Sequence, residues 1–239
     1  AYGVLQVPTD SLVTLQTGKP RERGAIAVMG AGTGLGEALL VWAEDPDDPQ
    51  GGSYNVVPSE GGHADFAPRD DIEIELFRWL RKRFGRVSWE RVVSGQGIYN
   101  VYQFLRDSGA APESLVVAGE IAKGDPGAVI GAHALAGTDV LCLRTIDLFI
   151  ASYGAEAGNL ALKGLTTGGV YIAGGIAPKL LPKLQDGQFL RSYRDKGRLS
   201  HLVEKAPVHV VLDQEVPLHG AGYVARRLAK RLTTRRGSR

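Results

Sequence analysis

Apolar positions recur at near-helical spacing in "DDIEIELFRWLRKRFG", Asp70 to Gly85, where Ile72, Leu76, Trp79, Leu80 and Phe84 form one stripe. Acids open this segment, bases close it and Gly85 follows, so the pattern predicts an amphipathic helix whose charges oppose its dipole. Elsewhere the apolar residues come in short runs. "AIAVMG" ends at a glycine as a buried strand would, and "EALLVWAED" carries Leu, Val and Trp into an acidic, proline-rich turn. Two antiparallel strands around a glycine turn are expected there. "SWERVVSGQGIYNVYQFLRDSG" predicts a capped turn, a short apolar run, a glycine turn at Gly95 to Gly97, and a helix to about Ser108. From Pro126 to Leu165 the Ala- and Leu-rich composition predicts one long or broken buried helix. Val170 to Ala173 has the makings of a core strand, Gly174-Gly175 of a turn, and Pro178 of the first turn of a new helix. "APVHVVLD" predicts a further strand and "GAGYVARRLAKRL" a last helix, giving an α/β chain with mixed strands and no internal repeat. The opening segment, "AYGVLQVPTDSLVTLQTGKPRERG", has no cap and no initiating methionine and begins as though in mid-element.

Charge narrows the partners. With 28 Lys+Arg against 26 Asp+Glu the net charge is +2, and the basic residues concentrate only in "RRLAKRLTTRR" near the end. Phosphate-backbone affinity needs a concentrated basic surface, so no nucleic-acid partner is expected. No apolar run reaches membrane-spanning length and no signal-like segment opens the chain, so no membrane association and a cytoplasmic location are expected. Cys142 is the single cysteine, which excludes an intrachain disulfide and suits a reducing compartment; it is expected to be a buried helix residue.

Candidate chemistry begins at "GAGTGLG", Gly30 to Gly36. A dinucleotide fold would require a helix directly after the glycines, yet "LGEALLVWAED" is extended in character and the glycine order is not G-x-G-x-x-G. A P-loop would end in Gly-Lys-Ser/Thr, and no lysine follows Gly36. What remains is a hairpin whose successive glycine N–H groups, with a Thr hydroxyl among them, form a concave nest for an anion, or else a plain tight hairpin. In "PSEGGHADFAPRD", Glu60 and His63 flank Gly61-Gly62, a pair pliable enough to aim both side chains into one cleft. A carboxylate and an imidazole so placed suit sugar hydroxyls, since hydrogen bonds to charged acceptors contribute about 1.5–3 kcal/mol each. Metal binding by Glu60, His63 and Asp65 competes, without a second clustered His or Cys to support it. Glu90 in "SWERVVSG" is open between a capping acid and a site residue.

Taken in order, "GAGTGLG", "SEGGHADFAP" and "ERVVSGQG", with "GNLAL" at Gly158 to Leu162 and "GGVYIAGGIAPKLL", resemble the bacterial-type glucokinases of the actin and hexokinase superfamily from about Ala25 onward. The resemblance implies a ribonuclease-H-like α/β large domain with a mixed sheet and flanking helices. It also implies transfer of the γ-phosphoryl of ATP to the 6-hydroxyl of glucose with Mg²⁺, in a homodimer. Carried onto this chain, it implies that Glu60, His63 and Glu90 bind glucose. Gly32, Thr33, Gly34 and Gly36 would form a second phosphate loop, and Gly174 and Gly175 would lie beside the adenosine. Members of that family also resemble one another in an N-terminal domain with an Asp-x-Gly-Gly-Thr loop and an Asn-Asp pair whose aspartate is the base. Neither stands in this chain, and "AYGVLQVP" looks like the sequence just after that pair. Residues 1–24 are therefore expected to be a residual linker, 25–217 the large domain and 218–239 a helix packing on a domain upstream of Ala1, where the catalytic base would lie. The stripe Val224, Leu228 and Leu232 on that helix needs a surface to cover it. The competing expectation is a non-catalytic sugar-binding or interaction module derived from a sugar kinase.

Overall fold

The structure, a computed structural model, describes residues 1–45 and 51–237, with side chains described to residue 229. The proline-rich turn expected after Asp45 lies outside the described residues, as does the side chain of Leu232. Six strands form one sheet: β1 (Leu12–Gln16), β2 (Ile26–Ala31), β3 (Leu35–Glu44), β4 (Gly52–Ser59), β5 (Gly169–Ala173) and β6 (Val208–Val211). They lie in the order β1-β6-β5-β2-β3-β4. The centre, β6, β5 and β2, is parallel, while β1 at one edge and β3 and β4 at the other are antiparallel. The β2–β3 hairpin is the one the pattern predicts: Gly30 pairs with Gly36 and Ala31 with Leu35 across a three-residue turn. β1 and β4 carry no signal that the sequence reading used, and β1 joins the sheet only through β6, about two hundred positions away.

Alternation places Ala27, Met29, Ala31, Val170 and Ile172 on one face of the sheet and Ile26, Leu40 and Val211 on the other. The first face is covered by a long buried helix, α5 (Val140–Gly164), itself packed among α1 (Asp71–Phe84), α2 (Gly95–Asp107), α3 (Leu115–Ile121) and α4 (Pro126–Ala136). Short helices α6 (Ile176–Lys179), α7 (Leu181–Gln185), α8 (Gln188–Arg194) and α9 (Ser200–Val203) connect β5 to β6, and α10 (Val216–Gly237) ends the chain. The expected helix over 126–165 is thus broken, at Gly137, whose φ of 65° suits a left-handed cap. Cys142 is buried in the first turn of α5, and burial pushes its thiol up to about 12.

Three local readings change. In α1, capped by Asp70 and closed by Gly85, the core-facing residues are Leu76, Leu80 and Glu73, while Ile72 is 41% exposed. Glu73 can be buried because Arg69 and the Ser152 hydroxyl satisfy its carboxylate. The glycines at 95–97 are no separate turn: the Ser94 hydroxyl accepts from Gly97 N at 2.9 Å and the glycines are the first turn of α2. α10 begins at Val216, before the expected Gly220, and lies over the second sheet face. Arg227 fixes it by donating to Tyr54 O and to the Ser53 and Asn55 side chains, and Tyr2 stacks on Tyr223 at 5.1 Å. Val224 is half-buried, whereas Leu228 is 54% exposed. Among the described residues no helix is long and apolar enough to cross a membrane.

Candidate active site

The carboxyl ends of the parallel strands β2 and β5 are tied by one side chain of α5. The Tyr153 hydroxyl accepts from Ala31 N at 3.3 Å and donates to Ala173 O at 3.4 Å. Burial holds the Tyr153 phenol well above its ordinary range, so it stays protonated and keeps both bonds. The crevice outside such strand ends is where open α/β sheets bind ligands. Gly32, Thr33 and Gly34 project there: Gly32 N donates to Gly34 O at 2.9 Å, and Gly95 N, opening α2, donates to Gly32 O at 2.8 Å. Thr33 stands exposed at the tip. Gly36 belongs to β3 rather than to the turn. Gly174 follows β5 with φ of 87°, a conformation that glycine adopts without steric cost, and a Cβ there would collide with the Ala31 carbonyl. Gly175 starts α6 beside it. Tyr153→Phe removes both bonds and leaves the buried Ala31 N–H short of its acceptor. Urea unfolding is expected to register a loss of about 1–3 kcal/mol.

Beside the glycine turn, Gly61–His63 form a tight 3-10 turn in which His63 N donates to Glu60 O at 2.9 Å and Ala64 N to Gly61 O at 2.8 Å. Both glycines are needed for close approach: a Cβ on Gly62 would strike Leu35 O, and one on Gly61 would strike Glu37 Oε2. The chain then pairs with the segment before α2, through Phe66 N to Val87 O and Trp89 N to Ala64 O, each 3.0 Å. The Phe66 and Trp89 rings meet edge to face at 4.9 Å. This lock brings Glu90 into place: Oε2 accepts from Leu35 N at 2.9 Å and Oε1 lies 3.9 Å from His63 Nε2. Glu90 is therefore no capping-box acid. A Cβ on Gly34 would also press on its carboxylate, so Glu90 stands between the glycine turn and His63. Glu60 is exposed at the start of the same turn. Asp65 pairs with Arg86 at 2.7 Å, and among the described residues no three His, Cys, Asp or Glu side chains gather as a metal cage.

One buried acid stands without a hydrogen-bond partner. Glu37, in the middle of β3, is only 6% exposed, and neither carboxylate oxygen has a hydrogen-bond partner. Burial first, and the Glu156 carboxylate second, push it up to about 7 against the pull of Lys163. The available signal was an acid at an inward position of the alternating run "LGEALL".

A mixed sheet with one buried helix across it, and with a glycine hairpin at the parallel strand ends, defines the ribonuclease-H-like large domain of the actin and hexokinase superfamily. The family model for Glucokinase matches residues 1–228. A Nostoc sp. glucokinase is 49% identical over 240 aligned positions, covering 95% of this chain and 68% of that protein. A Synechocystis sp. glucokinase is 44% identical over 238, covering 94% and 65%. Among solved structures, a glucokinase from an Antarctic psychrotroph superposes with a TM-score of 0.77 at 33% identity, covering 93% of this chain and 64% of that one. The glucokinase of Balamuthia mandrillaris in complex with glucose shares the fold, at TM-score 0.76 and 21% identity over 94% of this chain and 61% of that one. The chain belongs to the glucokinase family. It spans about two thirds of the length of these relatives.

Proposed function

We propose that the protein carrying this chain transfers the γ-phosphoryl of ATP to the 6-hydroxyl of glucose, with residues 1–239 supplying the sugar-binding acids and one of the phosphate-binding loops. The observation that carries this reading is the placement of Glu90, whose carboxylate contacts the strand entered from the glycine turn and faces His63. Phosphoryl transfer asks a protein mainly for positioning and for charge stabilisation. In this reading Glu60, His63 and Glu90 hold the sugar, and the N–H groups of Thr33 and Gly34 with the Thr33 hydroxyl face phosphate oxygens. Gly32, whose own N–H closes the turn on Gly34 O, and Gly36 set the close hairpin beneath them. Gly174 and Gly175 border the adenosine. The general base comes from outside residues 1–239, since the carboxylates at this crevice are committed to the sugar; such a base contributes about 10²–10⁴-fold in rate.

Mg²⁺ belongs to the proposal as a companion of the nucleotide. The donor set agrees with that limited role, because Mg²⁺ is commonly held by substrate phosphates, waters and one or two carboxylates, and no protein cage is present among the described residues. When bound it neutralises phosphate charge; no residue of this chain is assigned to it.

Glucose-dependent formation of ADP from ATP is the direct test, and sugar binding without ADP formation would favour a binding module instead. Glu60→Gln keeps the shape of the side chain and removes its charge. Calorimetry on the folded protein is expected to show glucose binding weakened by about 1.5–3 kcal/mol. Unchanged affinity would take Glu60 out of the site.

A further inference from the structure

We propose that Glu37 is a positioning residue for the sugar turn, a buried carboxyl that props Gly61 from below when it carries its proton and lets the Glu60–His63 turn shift when it does not. The inference rests on the sugar site proposed above. Glu37 sits on β3 between Met29 of β2 and Ser59 of β4, its register partners, and faces α5. Its Oε2 lies so close beneath Gly61 that a Cβ there would collide with it. The turn is tied to the same spot by Gly61 N, which donates to Ser59 Oγ at 2.9 Å. Any movement of this carboxyl is therefore felt at Gly61, one residue from Glu60 and two from His63.

The groups facing Glu37 explain why its proton matters. From α5 come Tyr153, Glu156 and Lys163. The Glu156 carboxylate is already held by Asn159 Nδ2 at 2.7 Å and Lys163 Nζ at 3.1 Å, so Lys163 is shared and not dedicated to Glu37. From β2, β4 and the turn come Met29, Ser59 and Gly61, none of them charged. A bare carboxylate with no donor on either oxygen is costly in that setting, whereas the neutral acid is tolerated. The carboxyl is raised from 4.5 to about 7. Because the folded value is the higher one, the stability tied to the bound proton is complete below about pH 4.5 and is lost as pH rises through 7. Between about pH 6 and 8 the ionised form becomes dominant, and it relieves its burial by drawing water or a donor in under the turn.

Hydrogen exchange reads the turn without any sugar. In the full chain, protection of the His63 and Ala64 amides, corrected for intrinsic rate, is expected to fall several-fold from pH 6 to pH 8. Glu37→Gln, neutral at every pH, is expected to show flat protection, and Glu37→Met, which fills the space without polar atoms, to match it even if the buried amide impairs folding. Glucose affinity of the protein carrying the chain should weaken over the same range, by up to about tenfold for each pKa unit by which sugar binding favours the protonated form. That trend should vanish in both variants. Wild-type protection that is flat across pH 6–8, or an inflection that survives in both variants, overturns the role of Glu37. If the exchange behaves as expected while glucose fails to bind at either pH, the prop stands and the sugar site is what fails.

Discussion

Glu90→Ala is expected to weaken glucose binding by about 10–150-fold, the equivalent of the 1.5–3 kcal/mol that one hydrogen bond to a charged acceptor contributes. Unlike that of Glu60→Gln, the effect should reach beyond the sugar, because in the proposed site Glu90 has a second role. Its Oε2 holds the Leu35 N–H at the point where the glycine turn enters β3, and its Oε1 faces His63. Alanine leaves that N–H without its acceptor, so the glycine turn is loosened along with the sugar contact, and the Michaelis constant for ATP should rise as well. Glu90→Gln separates the two roles, since its amide oxygen can still accept from Leu35 N while the charge offered to the sugar is gone. ATP parameters near wild type with weakened glucose are expected of Gln, and weakening of both substrates is expected of Ala. Isothermal titration and steady-state kinetics on folded protein read these directly; equal, small effects of the two variants would separate Glu90 from both substrates.

Gly174→Val should be the most damaging change at the proposed nucleotide side. A β-branched residue at φ of 87° carries a strain of about 1–3 kcal/mol, and its Cβ would meet the Ala31 carbonyl, part of the backbone from which the glycine turn begins. Neither β2 nor β5 can yield easily, because Tyr153 ties Ala31 to Ala173 from beneath. The expected result is a lowered unfolding midpoint together with lost turnover or a Michaelis constant for ATP raised at least about tenfold. Gly174→Asn tolerates the backbone angle but not the contact, so it should fail too. Normal ATP kinetics in Asn would show that the angle alone matters and that Gly174 does not set the turn.

The residue types of the proposed site are legible in the sequence, and their arrangement less so. Glycine spacing, Glu60 and His63 were visible because each motif spans a few residues and its chemistry is local. The assignment of Glu90 was open in the sequence for a physical reason: its deciding partner, Leu35 N, is 55 positions away. Glu37 is hidden in the sequence because an acid on an inward strand position contradicts the alternation that predicts strands, and only the overlying Gly61 and the neighbouring α5 show where its carboxyl lies.

By itself the sequence determined the elements whose causes lie within one or two turns of chain. The α1 stripe with Asp70 and Gly85 at its ends, the hairpin closed at Gly32–Gly34, and the core strand before Gly174 follow from side-chain period, capping and turn chemistry, which act between near neighbours. Tertiary structure decided what depends on distant partners. β1 is a strand because β6 offers it a ladder, and the glycines before Ile98 open α2 because Gly97 must pass close to the Val92 carbonyl. Glu73 faces the core in α1 because Arg69 and Ser152 meet its charge there. In each case the free energy comes from a hydrogen bond, a close approach or a desolvated charge between residues that local periodicity does not relate, so only the folded arrangement selects among the conformations the local pattern permits.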